Sequence, residues 1–188
     1  GTYNPYAKQG ACKACPTGRY TAVRGSVSCV ACAAGKYYDK VRGTVCDACP
    51  YGTYSNAGAA ACIDCTAGTY ASGGSSQCMT CSAGKYSGNK AAYCLSCNPG
   101  TFAPAGSTVC TNCAAGRYAS KSGAGLCDDC DSGSVSTTGS NTCDHCPVGK
   151  YDNANNVCVQ CVAGKYIHLA QQTSCLSCPA GKASVAGA

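Results

Sequence analysis

Cys15-Pro16-Thr17-Gly18-Arg19-Tyr20 leads to Cys29-Val30-Ala31-Cys32, and Cys32 at once reopens the same phrase as Ala33-Ala34-Gly35-Lys36-Tyr37. The 22 cysteines of this 188-residue chain fall as eleven C-x-x-C pairs spaced 15 to 17 residues apart. After the second cysteine most repeats read x-x-Gly-x-aromatic: Tyr20, Tyr37, Tyr54, Tyr70, Tyr86, Phe102, Tyr118, Tyr151 and Tyr166, with Val135 and Ala183 as the exceptions. Fixed-period self-similarity of this kind denotes a repeat array, so function belongs to the array before it belongs to any one pocket.

Composition argues against an ordinary core. The chain has no Trp, one Phe, one Met, two Ile and four Leu, so its hydrophobic fraction of 45% is mostly Ala, Val, Cys and Tyr. At about 25 cal/mol per Å² such side chains do not offset the ordering entropy of a large core. Disulfide loops of this length, worth about 3 kcal/mol each, are the largest stabilising source in sight. The cysteine density points to an oxidising, extracellular compartment. No apolar run reaches the ~20 residues of a membrane span, and no signal-peptide pattern opens the sequence. Gly1-Thr2-Tyr3 and Cys178-Pro-Ala-Gly-Lys182 both read as partial repeats. The expectation is one continuous array over 1–188, cut inside a repeat at both ends.

Within a repeat, Gly three residues after the second cysteine suits a turn with positive φ, and the aromatic two residues later suits a short strand. A second glycine stands four residues before the next pair in many repeats, as at Gly25, Gly58, Gly74, Gly106, Gly123 and Gly139. No helical periodicity is present. The expected fold is a small disulfide-rich repeat protein, an elongated, solenoid-like rod of short β-hairpins and loops with almost no helix. The nine repeat aromatics named above, with Tyr3, are expected to stack as a ladder that shields the disulfides. Each repeat is expected to contact only its neighbours.

Spacing leaves disulfide connectivity open. Bonds inside each C-x-x-C close small rings and restrain nothing between repeats. Bonds from the second cysteine of one pair to the first of the next close loops of similar length throughout. These would be Cys15–Cys29, Cys32–Cys46, Cys49–Cys62, Cys65–Cys78, Cys81–Cys94, Cys97–Cys110, Cys113–Cys127, Cys130–Cys143, Cys146–Cys158 and Cys161–Cys175, with Cys12 and Cys178 left over. The second scheme is adopted as a hypothesis.

Cys161-Val-Ala-Gly-Lys-Tyr-Ile-His168…Cys175 and Cys49-Pro-Tyr-Gly-Thr-Tyr54 resemble the cysteine-rich repeat of ephrin-receptor-like and tumour-necrosis-factor-receptor-like ectodomains. In that family the cysteine before Gly-x-Tyr bonds to the next one downstream, so the resemblance implies the second scheme. The resemblance runs through essentially the whole chain but marks a scaffold rather than a function. The repeats here are more uniform than in the receptors, and in this they resemble large surface proteins of unicellular eukaryotes.

Other chemistry fits less well. C-x-x-C pairs suit zinc, yet eleven at constant spacing offer no grouping into separate four-ligand sites, and disulfides are favoured. A thiol oxidoreductase carries one reactive pair on a larger scaffold. With His145 and His168 as the only histidines and no Glu, catalysis is poorly served and no cofactor is expected. His145 reads as a surface variant inside its pair. Half of the fourteen cations occupy the place between the repeat glycine and the aromatic position, at Arg19, Lys36, Lys85, Arg117, Lys150, Lys165 and Lys182. They are expected to point away from the tyrosines, into solvent or toward a polyanion or partner chain. A net charge of +6 and an extracellular setting argue against nucleic acid. Asn141-Thr-Cys and Asn156-Val-Cys are only cysteine variants of the glycosylation sequon, and Ser/Thr-rich loops could carry O-linked sugars.

The reading is a secreted or surface-displayed structural protein, a stalk, coat or self-assembled filament. Its partners would be copies of itself or other surface proteins, with glycans as a further class. The alternative is a receptor or adhesin ectodomain with its site on the divergent repeats between Cys127 and Cys146.

Overall fold

A computed structural model describes residues 1–6, 10–153 and 155–188. Among these there is no helix; the strands are two or three residues long and form eleven antiparallel pairs. Each hairpin joins the two residues after the repeat glycine to the two residues inside the next C-x-x-C. Arg19 and Tyr20 thus face Ala31 and Val30, and Lys36 and Tyr37 face Ala48 and Asp47. The turn entering the strand is closed by the Arg19 amide on the Pro16 carbonyl at 3.2 Å, with Gly18 at φ +73°. The far end is closed by the Cys32 amide on the Gly18 carbonyl at 2.9 Å. Ten disulfides complete the hairpins, from the second cysteine of one pair to the first of the next, with Cα–Cα distances from 5.4 Å at Cys146–Cys158 to 5.8 Å at Cys15–Cys29. The chain is a small disulfide-rich repeat protein built from short hairpins.

Residues group into two compact units. The first comprises Gly1–Ser82, Tyr86–Leu95 and Ala105–Val109. Inside it every repeat is tied to later ones by backbone bonds. Tyr20, Tyr37, Tyr54, Tyr70 and Tyr86 form parallel bridges to Gly43, Ala59, Ser75, Ala91 and Ser107 of the following loops. The Gly35 amide donates to the Ser55 carbonyl at 2.8 Å, and the Gly58 amide to the Cys32 carbonyl at 2.7 Å. The reach extends further, and here the expectation of neighbour-only contacts fails. Gly18 lies so close beneath the Gly58 carbonyl, two repeats on, that a Cβ at position 18 would overlap it. A bare Cα lets the two backbones touch, so glycine makes a three-repeat contact that spacing alone did not reveal.

The second unit comprises Ala83–Lys85, Ser96–Pro104 and Cys110–Ala188. Phe102 bridges Ala124 and Tyr151 bridges Gln172 in the same parallel manner. Gly100 sits beneath the Gly139 carbonyl, repeating the two-repeat reach. Cys113, Ala119 and Cys127 form a buried apolar cluster against which Phe102 and Ala124 pack. At one place a side chain replaces backbone: Asn156 Nδ2 donates to the Ser136 carbonyl at 2.6 Å, and the Ser136 amide donates to Asn156 Oδ1 at 3.3 Å.

Most of the repeat aromatics meet the following repeats through backbone bridges. Every repeat tyrosine is half-buried, and the only ring–ring contact among the described residues joins Tyr166 to His168 at 5.9 Å. Successive repeats are joined through the aromatic residue's backbone bridge, and at Phe102 the ring also packs on the Cys113, Ala119 and Cys127 cluster of the next repeat. The deepest side chains are the second cysteines, such as Cys15, Cys32, Cys81 and Cys113, together with the residue just after the aromatic: Thr21, Ser55, Ala71, Ser87, Ala103 and Ala119. That place lies where one hairpin packs on the next; small side chains fill it in most repeats, while Ile167, 2% exposed, fills it after Tyr166.

The second glycine of the sequence reading marks a left-handed loop residue, and it is kept when glycine is absent. Arg42, Lys90, Asn156 and Gln171 all have φ between 56° and 63°. The Arg42 amide donates to Cys15 and the Lys90 amide to Cys65, both at 2.8 Å, so the inter-repeat bond holds the residue there against its steric preference.

Candidate functional site

The residue between glycine and aromatic projects from a strand whose other residue is half-buried, which gives the place two uses. Arg19, Lys36, Lys85, Arg117, Lys165 and Lys182 are exposed there, and Lys150 is half-buried. Where threonine takes the place, its hydroxyl folds back on the turn: Thr53, Thr69 and Thr101 each donate to the carbonyl three residues earlier at 2.7 Å. The cations stand on separate hairpins. Arg117 pairs across its hairpin with Asp129, Nε to Oδ1 at 2.6 Å. Arg19 instead donates to the Cys29 carbonyl at 3.2 Å.

The divergent repeat near Cys143 holds a contact that sequence reading missed. Ser134 and His145 are cross-strand partners, with Oγ and Nδ1 2.8 Å apart. Serine at the aromatic-minus-one place and histidine inside the pair was the readable signal, since strand pairing sets them opposite. Ser134 is only 3% exposed, so its hydroxyl has no approach for a substrate, and the bond serves the hairpin. A concavity of about 440 Å³ in the first unit is lined by Thr2, Cys12, Thr21, Arg24 and Ser26 among others. Cys12 and Cys178 are unbonded. Among the described residues, no group of three or more His, Cys, Asp or Glu is placed to hold a metal ion. No described helix is long and apolar enough to cross a membrane.

The fold defines the class: a cysteine-rich repeat array held by a ladder of disulfides. Residues 1–28 and 52–91 match the family described as tyrosine-protein kinase ephrin type A/B receptor-like. The match falls in the first unit apart from Ala83–Lys85, and the same hairpin and disulfide recur through the rest of the chain. Among curated proteins none matches the chain. The matched family is a receptor-like cysteine-rich module, not an enzyme family. Together with ten disulfides it points to an extracellular or secreted disulfide-rich domain.

Proposed function

We propose that this protein is an extracellular structural element, a stalk or self-assembling surface filament, without catalytic activity. The observation that carries the reading is the coupling of each repeat to later ones through main-chain bonds, as in Gly35 to Ser55 and Gly58 to Cys32. Stability of this kind grows with repeat number and needs no larger core, which suits a load-bearing or spacing element. Small buried residues and near-constant hairpins present similar surfaces at regular intervals, which favours association of like with like. Electron microscopy of the native material under non-reducing conditions tests the reading. Thin rods or filaments whose length scales with repeat number are expected, and compact monodisperse particles would oppose it.

A second reading, a receptor or adhesin ectodomain, draws on the repeats between Cys127 and Cys146. There Val135 replaces the aromatic and Ser134 bonds His145. Binding of a protein or glycan that is lost on changing those residues, without loss of the ten disulfides, would favour it.

A further inference from the structure

The charge of this chain is unevenly placed. Residues 1–42 hold seven of the fourteen cations and only one of the eight carboxylates, Asp39, so this stretch alone carries +6 and the remainder balances to zero. Six of the seven, Lys13, Arg19, Arg24, Lys36, Lys40 and Arg42, are described, and all are exposed. The two ion pairs among the described residues, Lys90–Asp64 and Arg117–Asp129, use none of them. Arg19 faces Ala31 and Lys36 faces Ala48 across their hairpins, at the register where Arg117 finds Asp129. The opposite imbalance lies at residues 128–152, where Asp128, Asp129, Asp131, Asp144 and Asp152 stand against Lys150 alone. Asp128, Asp131 and Asp144 are exposed.

We propose that the basic segment 13–42 of one copy docks on the acidic segment 128–152 of a second copy of this chain. Six exposed cations without an ion pair call for an anionic partner, and the chain itself supplies one in Asp128, Asp131 and Asp144, which are exposed and outside the two ion pairs. Complementary patches at different places on one molecule make a heterologous contact, which leaves each new copy with one basic and one acidic segment open for the next. Open-ended growth follows, steered by opposite charge and weakened by salt. The inference rests on the self-assembly reading above and names the joint that assembly would use.

Sedimentation velocity of the 188-residue protein tests it, since the Debye length falls from about 30 Å at about 0.01 M salt to about 3 Å at about 1 M. Concentration-dependent association is expected at the lower salt and single copies at the higher. Arg24→Glu with Lys40→Glu, and separately Asp131→Lys with Asp144→Lys, are each expected to weaken association about tenfold or more, with intact mass confirming their disulfides. Each variant should still pair with the other when the two are mixed, because the two reversed segments then meet each other and the two native segments meet each other, both across copies with opposite charge. Assembly that persists at about 1 M salt and in both variants would remove this joint while leaving self-assembly standing. Single copies under every condition would remove both. A wild-type protein that stays single yet is retained by a sulfated polysaccharide through Arg24 and Lys40 would overturn the proposal in favour of a polyanion ligand.

Discussion

Ser55 Oγ donates to the carbonyl of Lys36, nineteen residues earlier, at 2.9 Å, and thereby links the cores of two successive hairpins. The same bond recurs from Ser87 to Thr69, from Ser136 to Arg117 and from Ser184 to Lys165. Ala71, Ala103 and Ala119 fill the equivalent place without it. In these repeats the place holds a small side chain with or without a hydroxyl, whereas Ile167 fills it after Tyr166, so the size limit belongs to fully buried positions such as Ser55. Ser55→Ala is expected to cost about 1 kcal/mol, the net worth of one hydrogen bond, whereas Ser55→Leu should cost about 3 kcal/mol or more through overpacking. Guanidinium unfolding under non-reducing conditions reads both, and equal costs would refute the size argument.

Gly18 and Gly25 separate two reasons for glycine. Both have positive φ, but a Cβ at Gly18 would strike the Gly58 carbonyl, while one at Gly25 meets nothing within 4 Å. Gly25→Ala should cost about 1–2 kcal/mol for the left-handed backbone alone. Gly18→Ala should cost more and should also speed amide exchange at Gly58, two repeats away. Exchange confined to the mutated hairpin would contradict the three-repeat reach.

Asn156 replaces backbone with side chain. Its amide makes both bonds to Ser136, so Asn156→Ala strips a partner from the half-buried main chain. A loss of about 1–3 kcal/mol is expected. Asn156→Asp should lose part of that, because a carboxylate accepts from the Ser136 amide but cannot donate to its carbonyl. Thermal denaturation of the three proteins gives the order.

Arg42 occupies a left-handed loop position with φ of 63° where other repeats carry glycine. Asparagine tolerates that region better than arginine, so Arg42→Asn is expected to raise stability by a few tenths of a kcal/mol to about 1 kcal/mol. A fall would show that the arginine side chain supports the loop.

Much of the fold was legible because its period is covalent. Cys15, Gly18 and Tyr20 recur in one phase, and that phase places the hairpin, its turn and its strand pair. What Tyr20 does was harder to read. Its ring is conspicuous in the sequence yet Tyr20 is half-buried, and the adjoining Thr21 lies deeper. Bulk marks a residue in a sequence, whereas close packing of short hairpins selects for lack of bulk. The long reach from Gly18 to Gly58 was hidden for a related reason, since a contact made by a missing side chain leaves no residue pattern beyond the glycine itself. The imbalance of charge between residues 13–42 and 128–152 was open to counting throughout, but pairing it across hairpins needed the register that sets Arg117 against Asp129.

The disulfides also govern what happens when the main chain is cut. A break anywhere between Cys15 and Cys29 leaves both new ends fastened through the sulfur bridge, and the same holds inside each later loop through Cys161–Cys175. From Cys15 to Cys175, only scission within a C-x-x-C pair can part the molecule, and there the bonds belong to paired strands. Such a chain can be nicked once in every loop by proteases and still be one piece, a tolerance of wear that an uncrosslinked array of the same length does not have.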